Sequence, residues 1–548
     1  MSRRPRITDD RRWVGMLALV GLALGQGVTM VVTAFATRDV IGALRDGTGA
    51  VPVQALVTIA VAGVAIFALR AAEGALGERT GQSYAAAIRR VLFLHMTKMP
   101  LSAMAERRAG ATALRFVGDL TAFKGWVARG AARLISASVT IPAAFLILYL
   151  LEPLLALVAA GPIGLVMVAV LWLGGPLGDA HADLRNKRAR LASAMAERLP
   201  QGIALRRSGR VKTELRALDT KSRGILRAAV RRAWLADGVR ALPEAAAGAA
   251  GALCLWVCLS LGLGVADAVA ALTALALIVS PLRHLADVRD RQKAFSVARG
   301  KLDAALARPR LPVVAETDMD ADAPAVVLSD VRLPGSAPLD LTLDRGAVRR
   351  VTGPPSSGKS RLLLTLAGFE AVPHRGRIET LGRQPGAMVR GRVLYLGPHA
   401  PMLKGSLRRA VTLGTGQSPD DTALGVVLEQ SGLSDVATRL GGLDGQVAEG
   451  GRNLTSTERT RLYLARGLIA RPALALVDAD EIGLASNNLA LLLHHFAAQG
   501  AAALIVTSAD VERLADVAPV ILKPRPAEIA SLTPTVTGAT SPPLRQAS

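Results

Sequence analysis

The feature that most constrains this chain is a set of long stretches without one charged side chain. Residues 13–36, 51–69, 134–151, 153–178 and 245–266 contain no Asp, Glu, Lys or Arg. A helix of about 17–25 apolar residues crosses the hydrocarbon of a bilayer, so each run is long enough to span. A sixth run, 268–282, reaches spanning length by starting near Leu263 and placing Asp267 at the interface. No comparable run follows Arg283. Core helices of a water-soluble domain do not supply this many charge-free runs in one half of a chain, so the first half reads as membrane-embedded. The first run is longer than the apolar part of a cleaved leader, and Arg38 and Asp39 follow it where a small-residue cleavage site would stand.

Charge orients the spans, because loops on the cytoplasmic side hold the excess of Lys and Arg. Residues 70–133 carry 11 basic and 4 acidic side chains, and residues 179–244 carry 16 and 7. The other connections are brief. The N-terminal tail adds Arg3, Arg4, Arg6, Arg11 and Arg12. The expectation is six spans in a cytoplasmic (inner) membrane, both termini in the cytoplasm, with the two basic segments as helical extensions on that side. The same bias removes nucleic acid as a partner. Of the net charge of +23, little belongs to residues 322–548, where 24 basic side chains face 20 acidic ones. A nucleic-acid binder concentrates charge on a soluble face, often with aromatics, and aromatics are only 3% here.

Beyond Arg308 the text changes. Residues 308–324 are rich in Pro, Asp and Ala and read as a linker. Residues 339–343 alternate apolar and polar, as a half-buried strand does. Residues 348–352 then lead into Gly353-Pro354-Pro355-Ser356-Ser357-Gly358-Lys359-Ser360-Arg361, and an apolar helix follows. This is a glycine loop between strand and helix with GxxxxGK[ST] spacing. Gly353 and Gly358 let backbone N–H groups approach phosphate oxygens, and the helix start points its positive end at the same anions. Lys359 is suited to the β and γ phosphates, and the Ser360 hydroxyl to Mg²⁺. The expected ligand is a nucleoside triphosphate with Mg²⁺. Asp478, at the end of the apolar strand 474–478, fits as the acid on the metal side.

Between these motifs stands Glu449-Gly-Gly-Arg-Asn-Leu-Thr-Ser-Thr-Glu458-Arg-Thr-Arg-Leu-Tyr-Leu-Ala-Arg466. This resembles the signature region of ABC transporter ATPases, at a similar distance before the Asp478 strand. Arg115-Phe-Val-Gly-Asp119 resembles the first intracellular helix of ABC exporters, and Pro281-Leu-Arg283 the end of their sixth span. The resemblance runs from about residue 10 to 530. It implies an exporter-type half-transporter: an all-α six-helix transmembrane domain (13–307, spans near 13–36, 51–69, 134–151, 153–178, 245–263 and 264–282), then the linker 308–324 and an α/β P-loop ATPase domain (325–530). A tail of 12 residues precedes it, and a Pro-, Thr- and Ser-rich tail, 531–548, follows. It also implies ATP and Mg²⁺ as cofactors and a second half-transporter as partner. Each ATP would lie between one subunit's phosphate loop and the other's signature segment, here Thr455, Ser456, Thr457 and Glu458.

The chain departs from the family at the catalytic positions. Ser456 and Thr457 replace signature glycines, where added side chains crowd a close approach to phosphate. The position after Asp478, where the family has a water-polarising Glu, is Ala479. Asp480 and Glu481 follow one and two places late, and only Glu481, with a rearranged backbone, is a weak candidate base. Ser508 stands where the switch His is expected, Pro398 near the coupling Gln, and residues 331–335 lack the aromatic that stacks on adenine. The expectation is a subunit that binds ATP and hydrolyses it poorly, paired with a competent half. A non-transporting regulator using ATP as a structural ligand, and a slow homodimer relying on Glu481, are the other two organisations.

Cys254 and Cys258, one helical turn apart, read as apolar filler, and His494-His495 as surface or core. Arg70, Glu73 and Glu78 are either solvated charges on a helix extension or contacts to a polar substrate. The spans, rich in Ala, Leu, Val and Gly, hold no ionisable cluster that names a substrate.

Overall fold

The computed structural model describes residues 4–46, 51–105, 120–311, 317–333, 337–370, 376–387, 391–509 and 519–522. The Arg115–Asp119 resemblance and the 531–548 tail lie outside the described residues. The chain divides into two compact units, Met1–Thr97 with Arg107–Arg308, and Lys98–Glu106 with Pro309–Ser548.

The first unit is built from six long helices: α1 (Arg12–Asp46), α2 (Val53–Met96), α3 (Leu120–Leu151), α4 (Pro153–Arg198), α5 (Val211–Leu261) and α6 (Val265–Leu306). All six carry a stretch long and apolar enough to cross a membrane. The chain breaks where its residues demand it. Pro153 opens α4 at a position that needs no N–H donor. Gly262, at φ +67, closes α5 in the left-handed conformation that other residues resist. Helices α2, α4 and α5 run on past their apolar runs as the basic extensions. Ile147, Leu148, Leu155, Ala274 and Ile278 form the interior of the bundle. Phe67, Trp172 and Leu259 instead lie 73%, 77% and 83% exposed, an arrangement that suits hydrocarbon and not water.

Helix α3 contains one irregular stretch. Residues Trp126–Ala131 wind as a π-helix, a form that is rare and concentrated at functional places. It packs against α2, where Gly77 and Gly81 are spaced four apart and face it. A Cβ at Gly77 would collide with the Ala128 carbonyl, and one at Gly81 would sit 2.8 Å from the Ala128 side chain and the Lys124 carbonyl. Two glycines so spaced let helices approach closely in a membrane.

The second unit is α/β. A five-stranded parallel sheet has the order β10 (Val520–Ile521), β3 (Val348–Thr352), β9 (Ala502–Val506), β8 (Leu474–Asp478), β5 (Val393–Leu396). Strands β8 and β9 are buried at every residue, as the centre of a covered parallel sheet requires. A smaller antiparallel sheet runs β2 (Leu339–Leu343), β1 (Val326–Val331), β4 (Arg377–Thr380), and β6 (Gly405–Ser406) pairs with β7 (Gln446–Val447). The helices are α7 (Lys359–Leu366), α8 (Leu407–Thr412), α9 (Asp421–Gln430), α10 (Ser434–Leu440), α11 (Ser456–Ile469), α12 (Ala479–Ile482) and α13 (Ser486–Ala498). Part of the expected linker is held in place: Thr317 donates to the Ala387 carbonyl at 2.8 Å and Asp320 to Leu381 at 3.1 Å. The short helix Leu101–Ala105 also belongs to this unit. The Leu101 N–H donates to the Phe369 carbonyl at 3.0 Å, and Ser102 donates twice to Glu370, each at 2.8 Å.

Candidate functional site

Strands β3 and β8 are separated in the sheet by β9, and both end at the same edge, because all three are parallel. In an open parallel sheet the carboxyl edge is where ligands bind. The loop from Gly353 to Gly358 leaves β3 there. Three of its residues have φ in the left-handed range: Gly353 at +153°, Ser356 at +63° and Gly358 at +94°. A Cβ on Gly353 would stand 2.6 Å from the Leu522 carbonyl, so glycine is required by space as well as by angle. At Gly358 the space is open and the angle alone selects glycine. The result is a backbone cradle closed by the first turn of α7.

Lys359 Nζ donates to the carbonyls of Gly353, at 2.7 Å, and Pro354, at 3.0 Å. The ammonium is thereby held over the cradle, where a phosphate oxygen would share it. Arg361 is exposed beside it. The Ser357 hydroxyl is buried without a hydrogen-bond partner, and so are both carboxyl oxygens of Asp478, which is 0% exposed. Burial pushes the Asp478 carboxyl above the usual carboxylate range, and the Ser360 hydroxyl nearby draws it part of the way back. An orphaned buried group costs about 1–3 kcal/mol, more if charged. Such groups at the mouth of a phosphate cradle fit a magnesium nucleotide, with Ser360 and Asp478 on the metal and Gly353–Arg361 around the phosphates.

Tyr395, on β5, adds a group that the motifs did not reveal. Its phenol is also buried without a hydrogen-bond partner, and burial raises its pKa, with the charge of Asp478 adding to the effect. Phe369 packs edge-on against its ring at 5.5 Å. The signal in sequence was only a tyrosine in an otherwise aliphatic strand.

Ala479 is buried and has no group that accepts a proton. Asp480 is turned to another task. Its Oδ1 accepts from the Ser508 N–H at 2.8 Å and from the Ser508 hydroxyl at 3.1 Å. Asp480 and Ser508, the residues at the late-acid and switch positions, therefore bind each other. Glu481 is exposed. Pro398 and His399 are exposed after β5.

The segment Thr455–Glu458 forms the start of α11. The Thr455 hydroxyl accepts from the Glu458 N–H at 3.2 Å, and the Glu458 carboxylate accepts from the Thr455 N–H at 2.8 Å, a reciprocal cap. Arg439 donates to both carboxylate oxygens of Glu458 at 2.9 Å. The Thr455 amide first, and Arg439 with it, holds the Glu458 carboxyl below its usual range. Ser456 and Thr457 are exposed on the first turn, where helix N–H groups lack partners inside the helix.

Farther along α11, Arg466 is 2% exposed. It donates to the carbonyls of Ala410, at 2.7 Å, and Pro401, at 2.8 Å. Cys254 and Cys258 are buried free thiols, and no group of three potential metal ligands occurs among the described residues.

The family model of the ABC transporter transmembrane region matches residues 16–282, and that of the ABC transporter matches residues 337–480. The chain belongs to the ABC transporter family. This ABC transporter chain joins the membrane region and the ATPase domain in one polypeptide. It is 28% identical over 254 residues to the mycobactin import ATP-binding/permease protein IrtB of Mycolicibacterium thermoresistibile, covering 44% of this chain and 43% of that protein. It is 32% identical over 142 residues to the cystic fibrosis transmembrane conductance regulator of Danio rerio, covering 26% and 9%. The match thus spans less than half the length of either relative. The structure of a bacterial Atm1-family ABC exporter with ATP bound superposes with a TM-score of 0.75 at 19% identity, covering 95% of this chain and 94% of that one. That likeness is one of fold.

Proposed function

We propose that this chain is one half of an ATP-driven transporter of the cytoplasmic membrane, with both termini in the cytoplasm, that binds MgATP firmly and hydrolyses it slowly at its own site. The observation that carries the second part is Ala479 beside an intact cradle: the residues that grip the nucleotide are present, and the one that would draw a proton from water is absent. When bound, the metal neutralises charge developing on the transferred phosphoryl group. Lys359 and the backbone N–H groups of the cradle fix the phosphates, and Asp478 and Ser360 fix the metal. Asp480, occupied with Ser508, moves no proton. The exposed start of α11, with the Thr455 hydroxyl, would meet a nucleotide held by a second half-transporter. Side chains at Ser456 and Thr457 weaken that approach. A heterodimer in which the other half supplies a complete catalytic set follows from this asymmetry.

The test compares ATP turnover by the purified chain in lipid nanodiscs with that of Ala479→Glu. A positioned general base is worth about 10²–10⁴ in rate, so we expect the variant to turn over about 10²-fold faster. A wild-type chain already as fast as the variant contradicts the reading. A second reading, a slow homodimer, is supported by the exposure of the Glu481 side chain. It requires that Glu481→Gln abolish residual turnover.

A further inference from the structure

The first unit contains a cavity of about 550 Å³ between α1, α2, α3 and α6. That volume is in the range of pockets for small organic ligands. The cavity bears on the two readings of Arg70, Glu73 and Glu78, as solvated charges or as contacts to a polar substrate. Arg70, Glu73 and Glu78 of α2 line it with Arg129 and Arg133 of α3 and Gln26 of α1. It sits where the apolar runs of α2 and α3 give way to their charged extensions, and its far end is apolar, formed by Met30, Ile66 and Leu277.

The protein answers most of these charges itself. Glu78 pairs with Lys124 at 2.9 Å, and Arg133 with Asp287 at 2.7 Å. Glu73 accepts from the amide of the buried Gln26 at 2.7 Å. Arg70 and Arg129 make no hydrogen bond or ion pair among the described residues, although the charge of Arg129 acts on Glu78. A guanidinium that faces a partly enclosed cavity at the cytoplasmic end of the spans is suited to an anionic group of a ligand. Arg129, moreover, lies inside the π-helical stretch of α3 that Gly77 and Gly81 admit. The irregular winding, the glycine contact and the Arg129 guanidinium meet on one wall of the cavity.

We propose that this cavity binds a soluble organic anion with two acidic groups, one for Arg70 and one for Arg129. A guanidinium offers a planar fork of donors that matches a carboxylate or a phosphate. Glu73, fixed by Gln26 and without a cationic partner, is placed for a donor group of the same molecule, an ammonium or a hydroxyl. The apolar end takes the remainder. The assignment rests on the transporter reading above, since it names the chemistry of what that transporter would carry.

The probe is the dipeptide glutamyl-glutamate, added to the full chain in nanodiscs of neutral phosphatidylcholine and read by the shift in thermal unfolding. Lysyl-lysine and alanyl-alanine amide serve as comparisons at fixed ionic strength. We expect a saturable shift with the acidic dipeptide alone. We expect Arg70→Gln and Arg129→Gln each to weaken it at least about tenfold. Arg227→Gln, an exposed cation on α5 outside the cavity, should leave it unchanged. A ligand-free unfolding transition like that of the wild type shows that each variant is folded, and MgATP binding on the same samples keeps a failure of the ATP-driven reading separate from a failure of this one. No response to the acidic dipeptide, an equal response to the cationic one, or wild-type affinity in both cavity variants overturns the proposal. So does an arginine-dependent shift that appears only in nanodiscs of phosphatidylglycerol, which would assign the cavity to an acidic lipid headgroup.

Discussion

Lys359→Ala should lower the affinity of the chain for MgATP by about 10²-fold. The lysine ammonium is a full positive charge held over the cradle, and its two bonds to the Gly353 and Pro354 carbonyls also close the loop. Charge-assisted bonds are worth about 1.5–3 kcal/mol each, and a loss of about 2.7 kcal/mol corresponds to that hundredfold change. Gly353, Gly358 and the first turn of α7 remain in the variant, so weak binding through backbone N–H groups should survive. Titration with a fluorescent ATP analogue in the presence of Mg²⁺ measures the difference. Unchanged affinity would place the nucleotide elsewhere.

Arg466→Leu should cost about 3–5 kcal/mol in the stability of the ATP-binding unit. Burial lowers the guanidinium pKa to about 10, so it is still charged at neutral pH, with no carboxylate to pair with and the Tyr463 ring 5.9 Å away. Its bonds to the Ala410 and Pro401 carbonyls tie α11 to α8 and to the loop after β5. A leucine leaves both carbonyls unsatisfied and opens a cavity, and the two penalties add. For a unit of this size the expected fall in melting temperature is on the order of 10 °C. The relevant transition is recognised because MgATP raises it. Arg466→Lys should recover less than half, because an ammonium lacks the two-pronged donor geometry. Arg471→Leu, at an exposed position, should change stability by no more than about 0.5 kcal/mol. A loss equal at both positions would mean that the buried bonds contribute nothing special.

What was legible in the sequence was local. The charge-free runs, the cradle from Gly353 to Ser360 and the strand ending in Asp478 each lie within a short window, and backbone chemistry dictates their form. The bundle cavity was not legible, because its lining comes from four helices whose contributions, Gln26, Arg70, Arg129 and His284, are far apart in the chain. The same holds for the π-helical turn, which packs against glycines of another helix. The pairing of Asp480 with Ser508 depends on the parallel register of β8 with β9, which brings Asp478 opposite Val506. Tyr395 gives no motif, and its importance appears only when its hydroxyl is found buried beside Asp478. The attachment of Leu101 and Ser102 to Phe369 and Glu370 joins residues that no spacing rule connects.

The most direct measurement is the chemical identity of the nucleotide retained by the purified chain. The chain is incubated with radiolabelled ATP and Mg²⁺ for many minutes, separated from free nucleotide and denatured, and the released label is resolved. A site with a cradle and no general base should return intact ATP, and the Lys359→Ala chain should return almost none. Recovery of ADP from the wild-type chain, formed at a rate that Ala479→Glu does not increase, would show that this site hydrolyses ATP without the missing glutamate.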